Sequence, residues 1–339
     1  IHRMTEIIAR EKHNMFPKME AGFRTALAEK RAHKAARAEA TRPRAQPTHQ
    51  AATPPAAATH STVDDAELAR RLHAEAEEAM GFCYFNSVAI AAKQLLSECG
   101  MRRILIVDWA IHHGNGTQKV FYEDPRVLYI SLHRHDNGNF YPGTGSSVEC
   151  GAGLGLGTNV NIAWSGGLEP PMGDAEYLAA FRSVVMPIAR EFDPEFVLVS
   201  AGFDAARGHE HPIGGYTVSP ACFAYLTHQL VSLAGGKLAL VLEGGYSLDV
   251  LCDAAEQCSR ALMAQPIEKI SHDELGRAPC HNAVETLQKT LAIQSQYWAC
   301  CGAPGQLDRL AMSHFQAWGM AREADTETLT AMAGVSMVK

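Results

Sequence analysis

From residue 81 onward, short apolar runs rich in β-branched residues alternate with segments of helical periodicity. The runs are RILIVD (103–108), VLYISL (127–132), TNVNIA (158–163), FVLVSAG (196–202) and LALVLEG (238–244). Between them, apolar residues repeat on one face of predicted helices at 87–98, 174–191 and 220–234, and a fourth helix follows Ser247. Apolar strands that alternate with helices pair in parallel through right-handed crossovers, so the pattern predicts a three-layer α/β domain with a mainly parallel sheet.

The residues ahead of this pattern have a different composition. Residues 1–41 are rich in Ala, Glu, Lys and Arg, and we predict a basic arm that is helical or disordered. This arm is a candidate nuclear-localisation or partner-binding segment, although a solvated helix face explains the same composition. Pro, Ala and Thr dominate residues 42–62, which predict a linker. We therefore expect a folded domain at 63–305, followed by a tail at 306–339.

The net charge of −7 is unevenly distributed along the chain. Residues 1–45 hold eleven Lys and Arg against five Asp and Glu, whereas the remaining residues hold nineteen against thirty-two. An acidic domain repels nucleic acid, so we predict no direct sequence-specific DNA binding. No apolar run approaches the ~18 residues of a membrane span, and we predict no membrane association. All nine cysteines follow residue 82 without CxxC spacing, which indicates reduced thiols and not a disulfide framework.

Chemically active residue types follow the predicted strands. In open α/β sheets, ligands bind at the carboxyl ends of the strands. His112 follows the first of these strands, Asp204 the fourth and Tyr246 the fifth. One imidazole and carboxylate oxygens suit zinc or a similar divalent metal, and a nearby phenol can stabilise an oxyanion. A histidine at a strand end is commonly structural, but the three residues together indicate a catalytic site. Among the loop histidines, we expect His135 and His209 at its rim.

Six longer motifs resemble one enzyme family. They are MGFCYFNSVAIAAK (80–93), VDWAIHHGNG (107–116), SLHRHDNGNFYPGTG (131–145), GGLEPPMGDAEYLAAF (166–181), VLVSAGFDAARGH (197–209) and VLEGGYSLDVLCDA (241–254). Together they resemble the zinc-dependent histone deacetylases of class II, most closely class IIa. The resemblance runs from about residue 74 to the end of the chain. It implies the arginase/deacetylase fold, and we expect the N-terminal portion of that fold to be missing.

The resemblance also implies roles for individual residues. The zinc ligands fall at position 110, His112 and Asp204, and the general base falls at His73, which Asn115 would orient. Tyr246 matches the tyrosine that stabilises the oxyanion, and Asp108 matches an acid beside the zinc ligands. A structural K⁺ ion is implied at Asp108, His112, Ser131 and Leu132. The walls of the acetyl-lysine channel are implied at Gly81, Phe82, Tyr141 and Gly245.

Two positions depart from the family pattern. Ala110 stands where the family has a ligating Asp, so zinc binding should be weak because a methyl group cannot coordinate. Leu72 replaces the first of two active-site histidines, since the family's RPPGHH is LARRLH here. We therefore expect either a lysine deacetylase or, as the alternative, a catalytically impaired corepressor scaffold or acetyl-lysine reader.

The resemblance implies a cellular role as well. The expected partners are acetylated histones or other acetyl-lysine proteins, together with corepressors and transcription factors. The role implied is transcriptional repression in the nucleus. The tail spacing Leu329-x2-Met332-x2-Val335-x-Met337 is similar to a nuclear export signal and indicates shuttling with the cytoplasm, although a loose amphipathic tail is the commoner meaning of such spacing.

Overall fold

The computed structural model describes residues 80–81, 83–166, 168–209 and 213–320. Several predictions lie outside these residues: the arm at 1–41, the linker at 42–62, Leu72, His73, Phe82 and the export-like segment from Leu329 to Met337. Within the described residues, no helix combines the length and the apolar character needed to cross a bilayer.

Five parallel strands form one sheet. They are β1 (Ile104–Asp108), β2 (Val127–Arg134), β3 (Asn159–Trp164), β4 (Phe196–Ala201) and β5 (Leu238–Leu242). Their order across the sheet is β3-β2-β1-β4-β5, and each neighbouring pair is parallel. All five runs predicted as strands are therefore confirmed.

Helices cover both faces of the sheet. They include α1 (Ser87–Ser97), α2 (Asn115–Phe121), α3 (Asp174–Ala180), α4 (Met186–Phe192), α5 (Pro220–Val231), α6 (Leu248–Leu262), α7 (His272–Gly276) and α8 (His281–Gln294). Side chains of β1 alternate between the two cores: Leu105 and Val107 join the larger one, whereas Ile106 joins the smaller one with α1. The predicted three-layer α/β architecture is confirmed.

The helix predicted at 174–191 is interrupted. A π-helical turn at Phe181–Val185 separates α3 from α4. Pro187 lies in the first turn of α4 and has no N–H to donate to the carbonyl oxygen of Ser183, so the regular helical ladder cannot continue there. The side-chain amide of Gln306 donates to that oxygen instead, at 2.6 Å.

Sequence periodicity did not indicate helix α8, which packs against β3. Three of its six buried side chains are polar, namely Thr286, Thr290 and Gln294, and this dilutes the apolar repeat. The Thr286 hydroxyl donates to the carbonyl of Asn282, and the Thr290 hydroxyl donates to that of Thr286, each at 2.9 Å. These local bonds let threonines occupy a buried helix face.

Candidate active site

The loops that follow β1, β4 and β5 meet at one edge of the sheet. The three strands are neighbours and run in the same direction, so their carboxyl ends lie side by side. The N–H of Phe203, just after β4, donates to the carbonyl of Gly244, just after β5, at 2.9 Å. Their loops are therefore joined directly, and each carries one of the predicted site residues.

His112 and Asp204 form a direct pair in this crevice. Nδ1 of His112 lies 2.8 Å from Oδ2 of Asp204, and the N–H of Ile111 donates to Oδ1 at 2.9 Å. Burial by itself raises the pKa of Asp204, but the hydrogen bond and charge of His112, together with the Ile111 N–H, bring that pKa below its usual value. The carboxylate is therefore ionised at neutral pH.

Aromatic rings form one side of the crevice. The His112 ring stacks on Phe140 with 5.1 Å between centroids, and Tyr141 meets it edge-on at 6.3 Å. A Cβ at Gly81 would lie 3.3 Å from Cε1 of Tyr141, so Gly81 and Tyr141 adjoin, and their place in a substrate channel stays a prediction. A Cβ at Gly245 would instead meet Leu251 at 2.9 Å, on the side of helix α6.

Two glycines bring Tyr246 next to Asp204. Gly245 has φ +126°, a conformation that favours glycine, and a Cβ at Gly244 would lie 2.8 Å from Oδ2 of Asp204. Burial and the nearby charges of Asp204, Cys83 and Glu243 raise the pKa of the Tyr246 phenol. Its hydroxyl therefore keeps its proton at neutral pH and can donate it in a hydrogen bond.

The donor set does not fit a catalytic zinc ion. His112 and Asp204 supply two ligating side chains, whereas such a site normally has three protein ligands. Ala110 is buried at the third position and carries only a methyl group. In the part of the chain that the structure describes, no group of three or more His, Cys, Asp or Glu side chains is arranged around a common metal position.

Both side-chain oxygens of Asp108 accept hydrogen bonds from groups within the protein. Its Oδ2 accepts the Tyr129 hydroxyl at 2.8 Å, and its Oδ1 accepts the Ala110 N–H at 3.1 Å. Burial, followed by the charge of Glu243, raises the pKa of Asp108 well above its usual value. Ser131 pairs with Asp108 in the β1–β2 register, so these two oxygen donors of the predicted K⁺ site are neighbours, and Leu132 follows in β2.

Asn115 begins helix α2 beside the crevice. Its N–H donates to the carbonyl of His113 at 2.9 Å, and its side-chain amide lies 3.1 Å from Sδ of Met80. Its predicted partner, His73, lies outside the described residues. The orienting role of Asn115 therefore stays a prediction.

The structure also gives two histidines a role that the sequence did not indicate. His113 and His133 are buried with 4.6 Å between ring centroids. His113 contacts Gln118 and Thr144, and His133 contacts Ser131 and the carbonyl of Gly145. Burial lowers the pKa of His113 to about 4 and that of His133 well below its usual value. Both are neutral members of a buried polar network.

His135 is half-buried, whereas the rim position predicted for His209 is wrong. The His209 side chain is buried, and its ring contacts backbone groups of Ala206, Tyr246 and Ser247. His209 follows a predicted strand, and this position suggested an exposed polar loop. The His209 ring is covered by segment 244–247, and sequence spacing does not show that this later segment packs there.

Comparison with known proteins shows which family this chain matches. The family described as "Histone deacetylase domain" matches residues 71–262. Histone deacetylase 7 of Homo sapiens is 54% identical over 270 residues, which are 78% of this chain and 28% of that protein. Histone deacetylase 9 of Homo sapiens is 58% identical over 223 residues, 66% of this chain and 22% of that protein. This chain thus spans about a quarter of the length of these curated relatives.

Solved structures agree with these relatives. The structure titled "Structure of the histone deacetylase Clr3" has a TM-score of 0.60 and 48% identity, covering 64% of this chain and 36% of that one. The "Crystal Structure of HDA15 HD domain" also has a TM-score of 0.60, with 43% identity over 66% of this chain and 59% of that one. The predicted arginase/deacetylase fold is thereby confirmed, and the chain belongs to the histone deacetylase family.

Proposed function

We propose that this chain binds acetyl-lysine side chains of histones or other proteins and hydrolyses their amide bond. The observation that carries the proposal is the pairing of His112 with the buried Asp204 beside Tyr246, within a region that matches the deacetylase family. Family homology supports lysine deacetylase activity. We propose both the activity of this particular chain and acetyl-lysine as its substrate.

The described residues suit parts of this reaction. The protonated Tyr246 hydroxyl would donate to the acetyl oxygen as that oxygen gains negative charge. Gly81 and Tyr141 would flank the lysine stem, and Phe82 is the further wall that the resemblance implies. By the same resemblance, His73 would take a proton from the attacking water, with Asn115 orienting it.

A second candidate function is a corepressor scaffold or acetyl-lysine reader. The observation that favours it is Ala110, which leaves two ligating side chains where a catalytic zinc ion normally has three. Such a protein would keep the crevice and Tyr246 for recognition while hydrolysing the amide slowly or not at all. The two candidates differ in the metal content and the turnover of the purified chain.

Substitution at position 110 separates the two candidates. We expect Ala110→Asp to raise the bound zinc toward one ion per chain, because it restores the missing carboxylate. The matched control is Ala110→Asn, which has the same size but a weaker ligand. Zinc is measured by elemental analysis, and turnover with an acetyl-lysine peptide. A gain in turnover of about 100-fold or more favours the impaired scaffold, whereas a wild type that already binds zinc and turns over peptide favours the enzyme.

Tyr246→Phe tests recognition separately from turnover. Removing the hydroxyl should reduce turnover by about 100-fold or more if it stabilises an oxyanion. Recruitment of corepressor proteins should stay at the wild-type level if recruitment uses the domain surface. Loss of recruitment in Tyr246→Phe would count against the scaffold role.

We further propose a structural K⁺ ion at Asp108 and Ser131, with backbone oxygens of His112 and Leu132. The supporting feature is the pairing of Asp108 with Ser131 across β1 and β2. Exchange of KCl for NaCl at equal ionic strength should then lower the melting temperature. Equal melting temperatures in the two salts would refute the proposal.

We also propose that this chain acts in transcriptional repression in the nucleus and is exported to the cytoplasm. It rests on the family resemblance and on the export-like spacing at Leu329, Met332, Val335 and Met337. Replacing Leu329 and Met332 by Ala should increase the nuclear fraction of a fluorescently labelled chain. An unchanged distribution would show that this tail does not direct export.

A further inference from the structure

His209 makes an unusual set of contacts behind the crevice. It follows β4 and is buried. The Nε2 atom of its ring accepts hydrogen bonds from two backbone N–H groups, that of Tyr246 at 2.8 Å and that of Ser247 at 3.1 Å. We propose that His209 is a positioning residue for Tyr246: it holds the main chain through these two bonds, and its ring also meets the Tyr246 ring edge-on with 6.2 Å between centroids.

The surroundings fix the tautomer that this role requires. Nδ1 of His209 lies 3.0 Å from the carbonyl oxygen of Ala206. A carbonyl oxygen can only accept a hydrogen bond, so Nδ1 carries the proton and Nε2 presents its lone pair. That lone pair is the acceptor on which the N–H groups of Tyr246 and Ser247 converge.

The turn at Tyr246 needs such an acceptor. Tyr246 and Ser247 immediately precede helix α6, and N–H groups at a helix start have no partner within the helix. The Ser247 side chain makes no capping bond there. Gly245, one residue earlier, has φ +126° and no side chain to limit rotation. The His209 ring therefore supplies the restraint that sets the direction of the following phenol.

His209 is itself held firmly. Its carbonyl oxygen accepts the N–H of Gly215 at 3.1 Å. A Cβ at Gly214 would lie 3.0 Å from Cβ of His209 and 2.5 Å from the carbonyl oxygen of Asp204, so these loop segments are in close contact. These contacts of Asp204 and His209 hold the ring that positions the turn after β5.

Two amide substitutions separate the ring's two nitrogens. In His209→Gln, the terminal oxygen reaches the position of Nε2 and can accept both N–H groups. In His209→Asn, the shorter amide reaches only the position of Nδ1. We expect the Tyr246 and Ser247 amides to exchange with solvent about tenfold faster in His209→Asn than in wild type, and His209→Gln to retain most of the protection. Equal protection in wild type and His209→Asn would overturn the proposal.

Nitrogen NMR of the wild-type imidazole gives a test that needs no variant. The contacts of His209 predict a protonated Nδ1 and an unprotonated Nε2. The opposite tautomer would overturn the proposal even if both variants failed to fold.

The consequence for acetyl-lysine rests on the proposed function and is tested by a double-mutant cycle. His209→Asn should weaken binding of an acetyl-lysine peptide in the wild-type background but have little further effect in Tyr246→Phe. Equal effects in both backgrounds would show that His209 does not act through Tyr246. If Tyr246→Phe alone leaves peptide binding and turnover unchanged, the proposed function fails, while amide exchange still decides the role of His209.

Discussion

The carboxylates of Asp108 and Asp204 each accept a backbone N–H from the loop that follows β1, from Ala110 and Ile111 respectively. Each side chain is thereby tied to the main chain of a segment that the sheet already fixes. Asp204 also forms a hydrogen bond with the His112 ring. The pKa of Asp204 lies below the usual value, although burial alone would raise it. Small changes in the surrounding backbone should therefore alter the charge and direction of this carboxylate.

Gly244 offers a direct test of that packing. A methyl group in Gly244→Ala would lie 2.8 Å from Oδ2 of Asp204, closer than ordinary van der Waals contact. We expect a loss of about 1–3 kcal/mol in the free energy of unfolding and weaker binding of an acetyl-lysine peptide. Urea denaturation and calorimetric titration measure the two effects.

The matched control is Gly302→Ala, because an added Cβ there would meet no atom within 4 Å. It should leave peptide binding unchanged. If Gly244→Ala behaves like Gly302→Ala, Asp204 has more freedom than its contacts indicate.

At this scale the sequence predicted which side chains meet, but not how they bond. His112, Asp204 and Tyr246 each follow a strand, and parallel strands place their ends together. The direct His112–Asp204 bond and the role of His209 depend on loop depth and on contacts between distant segments. Strand spacing contains no information about either.

Among the secondary-structure elements, helices α3, α7 and α8 are joined by one ion pair whose carboxylate is buried and whose guanidinium is partly exposed. Glu176 in α3 is fully buried, and Arg277, which ends α7, approaches its two oxygens at 2.7 and 2.9 Å. The N–H of Cys280, just before α8, donates to the same carboxylate at 2.9 Å. The pair therefore fixes the start of one helix against two others.

Breaking this pair should be costly. Arg277→Met keeps the apolar stem but leaves Glu176 charged and buried, and we expect a loss of about 3–5 kcal/mol in the free energy of unfolding. Arg260→Met is the control, since its partner Glu256 is exposed one turn away in α6. That change should cost less than about 1 kcal/mol in chemical denaturation. Similar losses in the two variants would contradict the assigned importance of the Glu176 pair.

Strands were easier to predict than helices for a physical reason. Both faces of β1 are buried, so its run is apolar throughout and clear in the sequence. Helix α8 buries hydroxyl and amide groups. The break near Pro187 arises because proline has no N–H to donate to the carbonyl oxygen of Ser183. The periodicity of apolar residues identifies apolar helix faces, but it does not reveal buried polar side chains or a missing backbone hydrogen bond.

For the molecule as a whole, buried neutral histidines make stability depend on pH. The pKa of His113 is lowered from 6.5 to about 4, and that of His133 is also well below its usual value. Between about pH 6.5 and 4 the unfolded chain binds a proton at His113 that the folded chain does not. The free energy of unfolding therefore falls as the pH is lowered through this window, by about 3 kcal/mol for His113 alone.

Urea denaturation at about pH 7, 6 and 5 measures this dependence. His113→Gln should reduce the slope, because it removes the group that takes up a proton on unfolding. His281→Gln serves as the control, since His281 is exposed at the start of α8, and it should retain the wild-type slope. Equal slopes in wild type and His113→Gln would exclude His113 as the source.

Because all five strands run in one direction, the two ends of the sheet have different tolerances to engineering. His112, Asp204 and Tyr246 follow the strands at one end. Gly100 and Gly235, in the turns that lead into β1 and β5, lie at the other, where an added Cβ would meet no atom within 4 Å. Epitope tags or fluorophores inserted at these turns would stand on the far side of the sheet from the crevice. They would allow the protein to be captured or followed while its chemistry is left alone.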